Sequence, residues 1–138
     1  MRVILDTNVL LSALLKADTP PYQLVDAWLD GRFELVSSAA QIDEITRVAR
    51  YPKVRQYIAR AEIGWLVNRV QERALLVERL PKVDVSSDPG DNFLLAMAKA
   101  GSAEFLVTGD KAGVLAVEKH GNTQIVNARQ MVTTLKLK

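Results

Sequence analysis

Hydrophobic positions along the chain alternate between short continuous runs and sets spaced three and four residues apart. The continuous runs predict buried strands at Arg2–Leu5, Phe33–Val36, Leu75–Val77, Phe105–Thr108 and Gln124–Val126. The spaced sets between them predict amphipathic helices. Strands that alternate with helices predict an α/β fold, in which a mainly parallel sheet of four or five strands is covered on both faces.

Capping and breaking residues predict where the helices begin and end. An apolar helix follows the first strand and runs through Leu15, and Pro20–Pro21 begins a second helix that Gly31 ends. Ser38 and Gln41 fit an S-x-x-Q capping box, and Pro52 breaks or restarts that helix. The remaining helix signals are the apolar set Ile63, Leu66, Val67 and Val70, the start at Asp88–Pro89 with a stop at Gly101, and the capping pair Asn127 and Gln130.

Composition narrows the chemistry more than it narrows the fold. The 138 residues suit one domain, 1–138, and include no cysteine and a single histidine, His120. Thiolate catalysis, cysteine zinc sites and a ribonuclease built on two histidines are therefore excluded. With no secretory leader and no apolar span of about 18 residues, we expect a cytoplasmic protein without a membrane segment.

Positive charge is concentrated between Ile45 and Ala61, although the formal net charge is only +2. This stretch contains no acid, and its cations are Arg47, Arg50, Lys53, Arg55 and Arg60. For any one of them a solvated helix face is the ordinary interpretation. Taken together they are compatible with a polyanionic partner.

Two acidic residues stand where predicted strands end. Asp6 follows the first strand, and Asp110 follows the fourth after Gly109. Taken singly, Asp6 could be a helix cap and Asp110 part of a turn. If the two strands are neighbours, both carboxylates lie in one cleft beyond the carboxyl ends of the strands, where sites in open α/β sheets form.

Two further acids could join that cleft, although each has an ordinary structural interpretation. Asp91 stands at the third helical position after Asp88, where it favours the helix dipole, and Glu44 is a mid-helix glutamate beside Asp43. Clustered carboxylates repel, and a divalent cation with a preference for oxygen ligands, such as Mg²⁺ or Mn²⁺, removes that penalty. Phosphodiester hydrolysis is the chemistry that this pattern suggests. Candidates to orient these acids are Thr7, Asn8, Asn92 and Thr108.

Four segments in this order resemble the motifs of the PIN-domain ribonuclease family, and in particular its VapC-like toxins. The segments are Val3-Ile4-Leu5-Asp6-Thr7-Asn8-Val9-Leu10, Ser38–Ile45 with Tyr51-Pro52-Lys53, Asp88-Pro89-Gly90-Asp91-Asn92-Phe93-Leu94-Leu95-Ala96, and Leu106-Val107-Thr108-Gly109-Asp110. In the second motif the acid corresponds to Glu44. The match covers nearly the whole chain. One departure follows Asp110, where relatives often have another acid and a leucine pair and this chain has Lys111-Ala112-Gly113-Val114-Leu115.

The resemblance implies a three-layer α/β/α fold in which the first and fourth strands are adjacent. It implies an endoribonuclease dependent on Mg²⁺ or Mn²⁺, a homodimer, and inhibition by a cognate antitoxin. The catalytic and metal-binding role passes to Asp6, Glu44, Asp91 and Asp110, and supporting roles pass to Asn8, Thr108 and Asp88. Contacts with RNA or antitoxin are assigned, as a hypothesis, to Arg47, Arg50, Lys53 and Arg55.

Three other functions could account for part of this pattern. A phosphatase of the haloacid-dehalogenase type needs a second acid two positions after its first aspartate, where this chain has Asn8. A receiver domain needs an aspartate after its third strand and a late lysine, and no convincing pair of that kind is present. A catalytically weak PIN-like module that binds RNA or a protein partner stays open as the alternative.

Overall fold

The computed structural model describes residues 1–81, 89–109 and 119–137; for residues 89–91 and 119–120 it describes the backbone alone. The strands are β1 (Arg2–Leu5), β2 (Glu34–Ser38), β3 (Leu75–Val77), β4 (Phe105–Val107), β5 (Lys119–His120) and β6 (Thr123–Val126). The helices are α1 (Thr7–Ala13), α2 (Pro20–Leu29), α3 (Ala39–Ala49), α4 (Pro52–Arg55), α5 (Arg60–Arg73), α6 (Pro89–Gly101) and α7 (Ala128–Thr134). Within these ranges no helix is long and apolar enough to cross a membrane.

The strands form one sheet in the order β3-β2-β1-β4-β6-β5. All neighbouring pairs are parallel except β5 with β6, which is antiparallel. In the register of β1 and β4, Leu5 lies opposite Val107, so the two strands end side by side. The predicted mainly parallel α/β sheet is confirmed, as is the adjacency of the first and fourth strands. The two-residue strand β5 was not predicted.

Helices cover both faces of the sheet because successive strand residues point in opposite directions. Val3 and Leu5 of β1 belong to one buried cluster, and Ile4 between them belongs to the other. The first cluster includes buried residues of α1, α2, α3, α5 and α7, whereas the second includes those of α6. The three-layer arrangement that the resemblance implied is therefore confirmed.

The helix ends differ from the predictions in two places. Helix α1 ends at Ala13 instead of continuing through Leu15. At the start of α3, Ser38 Oγ accepts the Gln41 backbone N–H, but the Gln41 side chain bonds elsewhere and does not complete the predicted capping box. The predicted box of Asn127 and Gln130 is formed by both of its hydrogen bonds at α7. The cap predicted at Asp88 lies outside the described residues.

Helix α6 runs against the strand direction, so its first turn lies at the carboxyl edge of the sheet. Near its end, the Gly101 carbonyl accepts a hydrogen bond from Arg2 Nη1, 3.0 Å away, at the amino end of β1. One turn earlier, Met97 Sδ lies 3.3 Å from the Oγ of Ser38, at the carboxyl end of β2. Asp91 precedes Met97 by six residues, which is about 9 Å of helix rise toward that edge.

Candidate active site

The carboxyl ends of β1 and β4 hold Asp6 and Thr108 against each other. The Asp6 backbone N–H donates to the Val107 carbonyl at 2.9 Å. In the side chains, Thr108 Oγ1 donates to Asp6 Oδ2 at 2.8 Å, and Thr108 is completely buried. Asp6 occupies the position before α1, yet its side chain makes no hydrogen bond that caps the helix. Capping therefore does not account for this carboxylate.

Burial raises the pKa of the Asp6 carboxyl group above its ordinary value, and the negative charge of Glu44 acts in the same direction. The Thr108 hydroxyl and the backbone N–H groups of Asn8 and Thr7 act in the opposite direction. These two N–H groups lie near the carboxylate and favour its charged form, although neither makes a hydrogen bond that caps α1. Asp6 is thus an acid whose charge is disfavoured where it stands.

Glu44 reaches the same place from α3. The Thr7 hydroxyl, directly after Asp6 and itself buried, donates to Glu44 Oε1. On its outer side Glu44 Oε2 lies 3.9 Å from Arg47 Nη2, and the Glu44 side chain keeps 25% of its surface exposed. Arg47 Nη1 also donates to the Tyr51 hydroxyl at 3.0 Å. Glu44 is therefore held on one side by a buried hydroxyl and faced on the other by an exposed guanidinium.

A buried glutamine joins α3 to the end of β1. Gln41 Nε2 donates to the Leu5 carbonyl at 2.8 Å, and Gln41 Oε1 accepts from Ser37 Oγ at 2.5 Å. Gln41 is completely buried and stands one turn before Glu44 on the same helix. By fixing that turn of α3 to the residue before Asp6, it sets the position of Glu44 relative to Asp6. The sequence predicts only a capping role for Gln41. The one other signal that could have indicated its role is the position of its amide one turn before the candidate acid Glu44.

The structure describes the other predicted site residues to different extents. Asp91 lies in the first turn of α6, where the backbone alone is described, and Asp88 and Asp110 lie outside the described residues. Asn8 is exposed on α1. Among the described side chains, no three histidines or acids gather closely enough to hold a metal ion. The structure therefore brings together Asp6 and Glu44, with Thr7 and Thr108 as their hydrogen-bond donors.

The side-chain atoms at this edge that could ligate a metal suit a hard divalent cation. They are oxygens of carboxylates and hydroxyls, the ligand type that Mg²⁺ and Mn²⁺ prefer. The Asp6 carboxylate is buried and is repelled by Glu44, and a nearby cation would relieve both penalties. The backbone of Asp91 approaches the same edge at the N-terminal turn of α6.

The predicted basic segment separates into two parts. Arg47 lies beside Glu44, whereas Arg50 and Arg55 line a groove between α3, α4 and α5, together with Arg60. Lys53 is exposed on α4 and is not among the residues that line the groove. Only Arg47 therefore touches the candidate active site.

Comparison with known proteins gives one family match, one similar sequence and one similar structure. The sequence profile of the PIN domain matches residues 2–112. The chain is 24% identical to the uncharacterized protein MJ1680 of Methanocaldococcus jannaschii over 137 residues, which span 99% of this chain and 88% of that protein. It also shares its fold with the crystal structure of FitAcB from Neisseria gonorrhoeae, at a TM-score of 0.53 and 18% identity, covering 92% of this chain and 98% of the other.

Proposed function

This chain belongs to the PIN domain family, and on that premise we propose that it is a metal-dependent endoribonuclease that hydrolyses RNA phosphodiester bonds. PIN domains are generally nucleases, so hydrolysis of a nucleic acid is the expected activity class. The observation that carries the proposal is the meeting of Asp6 with Thr108 across β1 and β4, within the field of Glu44. Residues far apart in sequence thereby place two carboxylates at the edge where α/β sheets form their sites.

In this proposal Mg²⁺ or Mn²⁺ is held by Asp6, Glu44, Asp91 and Asp110. A bound ion of this kind activates water and stabilises charge on the phosphate and leaving oxygens. The chain's own contribution is to position the acids. Thr108 holds one oxygen of Asp6, Thr7 holds one oxygen of Glu44, and Gln41 fixes α3 to β1. Asn8 and Asp88 are proposed to have supporting roles.

We further propose that the chain is the toxin of a toxin–antitoxin pair and acts in the cytoplasm as a homodimer inhibited by its antitoxin. Two points support this biological role. The four motifs resemble those of VapC-like toxins, and the fold matches FitAcB over 92% of the chain. The departure at Lys111-Ala112-Gly113-Val114-Leu115 keeps the catalytically weak binding module as the alternative.

Cleavage of RNA by the purified full-length chain tests the enzyme directly. Mixed-sequence RNA is incubated with Mg²⁺, Mn²⁺ or EDTA, and products are separated on denaturing gels. We expect cleavage with either metal, none in EDTA, and a loss of about a hundredfold or more in Asp6→Asn, because it removes a proposed metal ligand. Asp43→Asn changes an exposed acid next to Glu44 and is the matched control, which should cleave normally.

Two results would change the assignment. Cleavage by Asp6→Asn at the wild-type rate would remove Asp6 from the mechanism and end the proposal as stated. RNA binding by the wild-type chain without cleavage in either metal would favour the binding module.

A further inference from the structure

A groove with a volume of 680 Å³ lies beside the candidate active site, on the other flank of α3. The end of α3, the turn after α4 and the first turn of α5 form its walls, and Ile58 and Ile63 contribute apolar surface. Three guanidinium groups line it, those of Arg50, Arg55 and Arg60, and no acid is among its lining residues within the described chain. The groove is therefore strongly electropositive for a chain whose formal net charge is +2.

The side chains of these three arginines have no ion pair or hydrogen bond to any other described residue. Other arginines are committed to partners within the fold, namely Arg2, Arg32, Arg47, Arg69 and Arg73. All three groove arginines are also exposed. The side chains of Arg79 and Arg129 also have no partner among the described residues, but neither of them lines the groove. The groove is therefore distinguished by the convergence of three unpartnered arginines on one surface.

We propose that this groove binds the backbone of single-stranded RNA, with Arg50, Arg55 and Arg60 contacting its phosphates. The inference rests on the proposed ribonuclease function, since it names where that substrate binds. Guanidinium forks match phosphate oxygens in pairs. Of the two isoleucines that line the groove, Ile58 is buried in the core, and the partly buried Ile63 offers apolar surface to a ribose or base edge. Next to the groove, Tyr57 is 66% exposed and Tyr51 is 47% exposed. Exposed aromatic rings beside a basic groove are the platform on which unpaired bases stack, and this favours RNA over an acidic peptide.

The groove and the acids are joined across the surface of α3. Glu44, Arg47 and Arg50 are spaced three residues apart, so they follow a shallow line around the exposed side of the helix. From Glu44 to Arg50 the rise along the axis is about 9 Å. An RNA strand bound in the groove can therefore reach Glu44 by crossing α3 at Arg47.

The test measures RNA binding in the Asp6→Asn background, where cleavage is not expected. The probe is a fluorescein-labelled oligouridine of about 12 nucleotides, within the usual site size of single-strand binders. Anisotropy is followed in EDTA from about 50 to 200 mM KCl, the range over which phosphate contacts are lost. Arg50→Gln/Arg55→Gln/Arg60→Gln is compared with Lys16→Gln/Lys99→Gln/Lys136→Gln, which removes the same charge from exposed lysines outside the groove.

We expect the arginine variant to raise Kd at least about tenfold and to flatten the slope of log K against log salt by about 2, because each single-strand phosphate contact contributes about 0.7. The lysine variant should change both quantities much less. Replacing the three arginines by lysine should keep the salt slope but still weaken binding, because the paired hydrogen bonds are lost. Tyr57→Leu should weaken binding about tenfold, and Tyr57→Phe should not.

Other outcomes overturn the groove assignment. Unchanged affinity and slope in the arginine variant would do so, as would equal losses in the arginine and lysine variants. If the arginine variant binds RNA normally but no longer has the mass of a dimer, the groove would be assigned to a second copy of the chain. If it binds RNA normally but no longer binds poly-glutamate, the groove would be assigned to an acidic peptide. Thermal melting checks folding, and Arg55→Gln alone, on exposed α4, repeats the test if the triple variant is unstable.

A cleavage assay run beside the binding assay tests the proposed ribonuclease function separately from the groove on which this inference depends. A wild-type chain that cleaves RNA, while its groove variants bind oligouridine normally, would lose the groove and keep the ribonuclease. A chain that binds through the groove but cleaves nothing with Mg²⁺ or Mn²⁺ would lose the ribonuclease and keep the groove.

Discussion

The charge of a single carboxyl group, that of Asp6, governs how the site behaves without metal. Burial and the nearby Glu44 oppose its ionisation, while the Thr108 hydroxyl favours it. Because the balance raises the pKa of Asp6 in the folded chain, the native state holds this proton more tightly than the unfolded chain does. Ionised Asp6 therefore destabilises the metal-free fold near neutral pH.

Replacing Asp6 by Asn should stabilise the metal-free protein at neutral pH. As pH rises from about 4, the ordinary pKa of Asp, through the raised folded value, the wild type loses stability relative to the variant. Below that range both side chains are neutral and the difference should vanish. Urea unfolding in EDTA between about pH 3.5 and pH 8 measures this difference in stability. Asn is the suitable replacement because it is as favourable as Asp at a helix N-terminus. A variant less stable than wild type at neutral pH would contradict this account.

Among the residues found at the candidate site, those at strand ends were the most directly predictable from the hydrophobic pattern. Asp6 and Thr108 were found because each follows an apolar run, and runs that pair in parallel end at one edge. The Thr7–Glu44 and Gln41–Leu5 contacts join residues 37 and 36 positions apart. Such contacts depend on how α3 is seated on the sheet, which hydrophobic spacing alone does not specify. The roles of Asp6, Glu44, Asp91 and Asp110 in metal binding remain predictions.

At the scale of elements, the seating of α3 against β1 depends on the Gln41 side chain. Gln41→Met keeps the length of the side chain but removes both hydrogen bonds, which leaves the Leu5 carbonyl and the Ser37 hydroxyl without those partners. We expect a loss of about 2–4 kcal/mol in the free energy of unfolding, because each unpaired buried group costs about 1–3 kcal/mol. Urea denaturation measures this loss.

The matched control is Gln130→Met, at an exposed glutamine whose side chain accepts only the Asn127 backbone N–H. It should cost about 1 kcal/mol or less. If both variants lose the same free energy, Gln41 does not fix α3 to the sheet. A fall in RNA cleavage by Gln41→Met that exceeds its loss of folded protein would further indicate misplacement of Glu44.

The close approach of α6 to β2 depends on Gly101. A Cβ built there would lie 2.6 Å from Val36 Cγ1 and 3.3 Å from Val77 Cγ1, and Val36 is completely buried on its strand. Gly101→Ala should therefore destabilise the fold by about 1–3 kcal/mol, as overpacking does. Adding Val36→Ala should restore part of this by opening space for the methyl group.

Replacing Gly64 by alanine should have the opposite effect on stability. Gly64 lies within α5 and is exposed, and an added Cβ would meet nothing within 4 Å. Gly64→Ala should stabilise the protein by up to about 1 kcal/mol, because alanine restricts the unfolded chain and favours helix. Melting curves of the two variants compare them directly, and a stabilising Gly101→Ala would show that α6 can move away from β2.

The elements themselves followed well from the sequence because strong end signals bound most of them. Pro20, Gly31 and Pro52 mark helix boundaries that the structure confirms to within two residues. Strand β5 was missed because its two residues, Lys119–His120, carry no apolar run and are ordered by antiparallel pairing with β6. Hydrophobic periodicity detects elements that bury a face, and an edge pair this short does not need one.

At the scale of the whole molecule, the fold brings together acidic groups from separate parts of the chain, and it does so against their mutual repulsion. Thr7, Gln41 and Thr108 supply the hydrogen bonds that hold Asp6 and Glu44 in that arrangement. A ligand that binds the folded state alone raises its stability by mass action. If the acids form the proposed metal site, metal binding should therefore appear in the unfolding equilibrium of the entire chain.

Manganese should stabilise the wild-type protein and have little effect on Asp6→Asn. At a concentration about 100 times Kd, binding to the native state alone adds about 2.7 kcal/mol, which raises Tm by about 10 °C for a chain of this size. Scanning calorimetry with increasing Mn²⁺, at constant ionic strength, measures the shift without relying on RNA. Asp43→Asn should respond as the wild type does, because it leaves Asp6 and Glu44 intact. An equal rise in Asp6→Asn would place the stabilising ion elsewhere on the molecule and would separate the acids at the β1–β4 edge from metal binding.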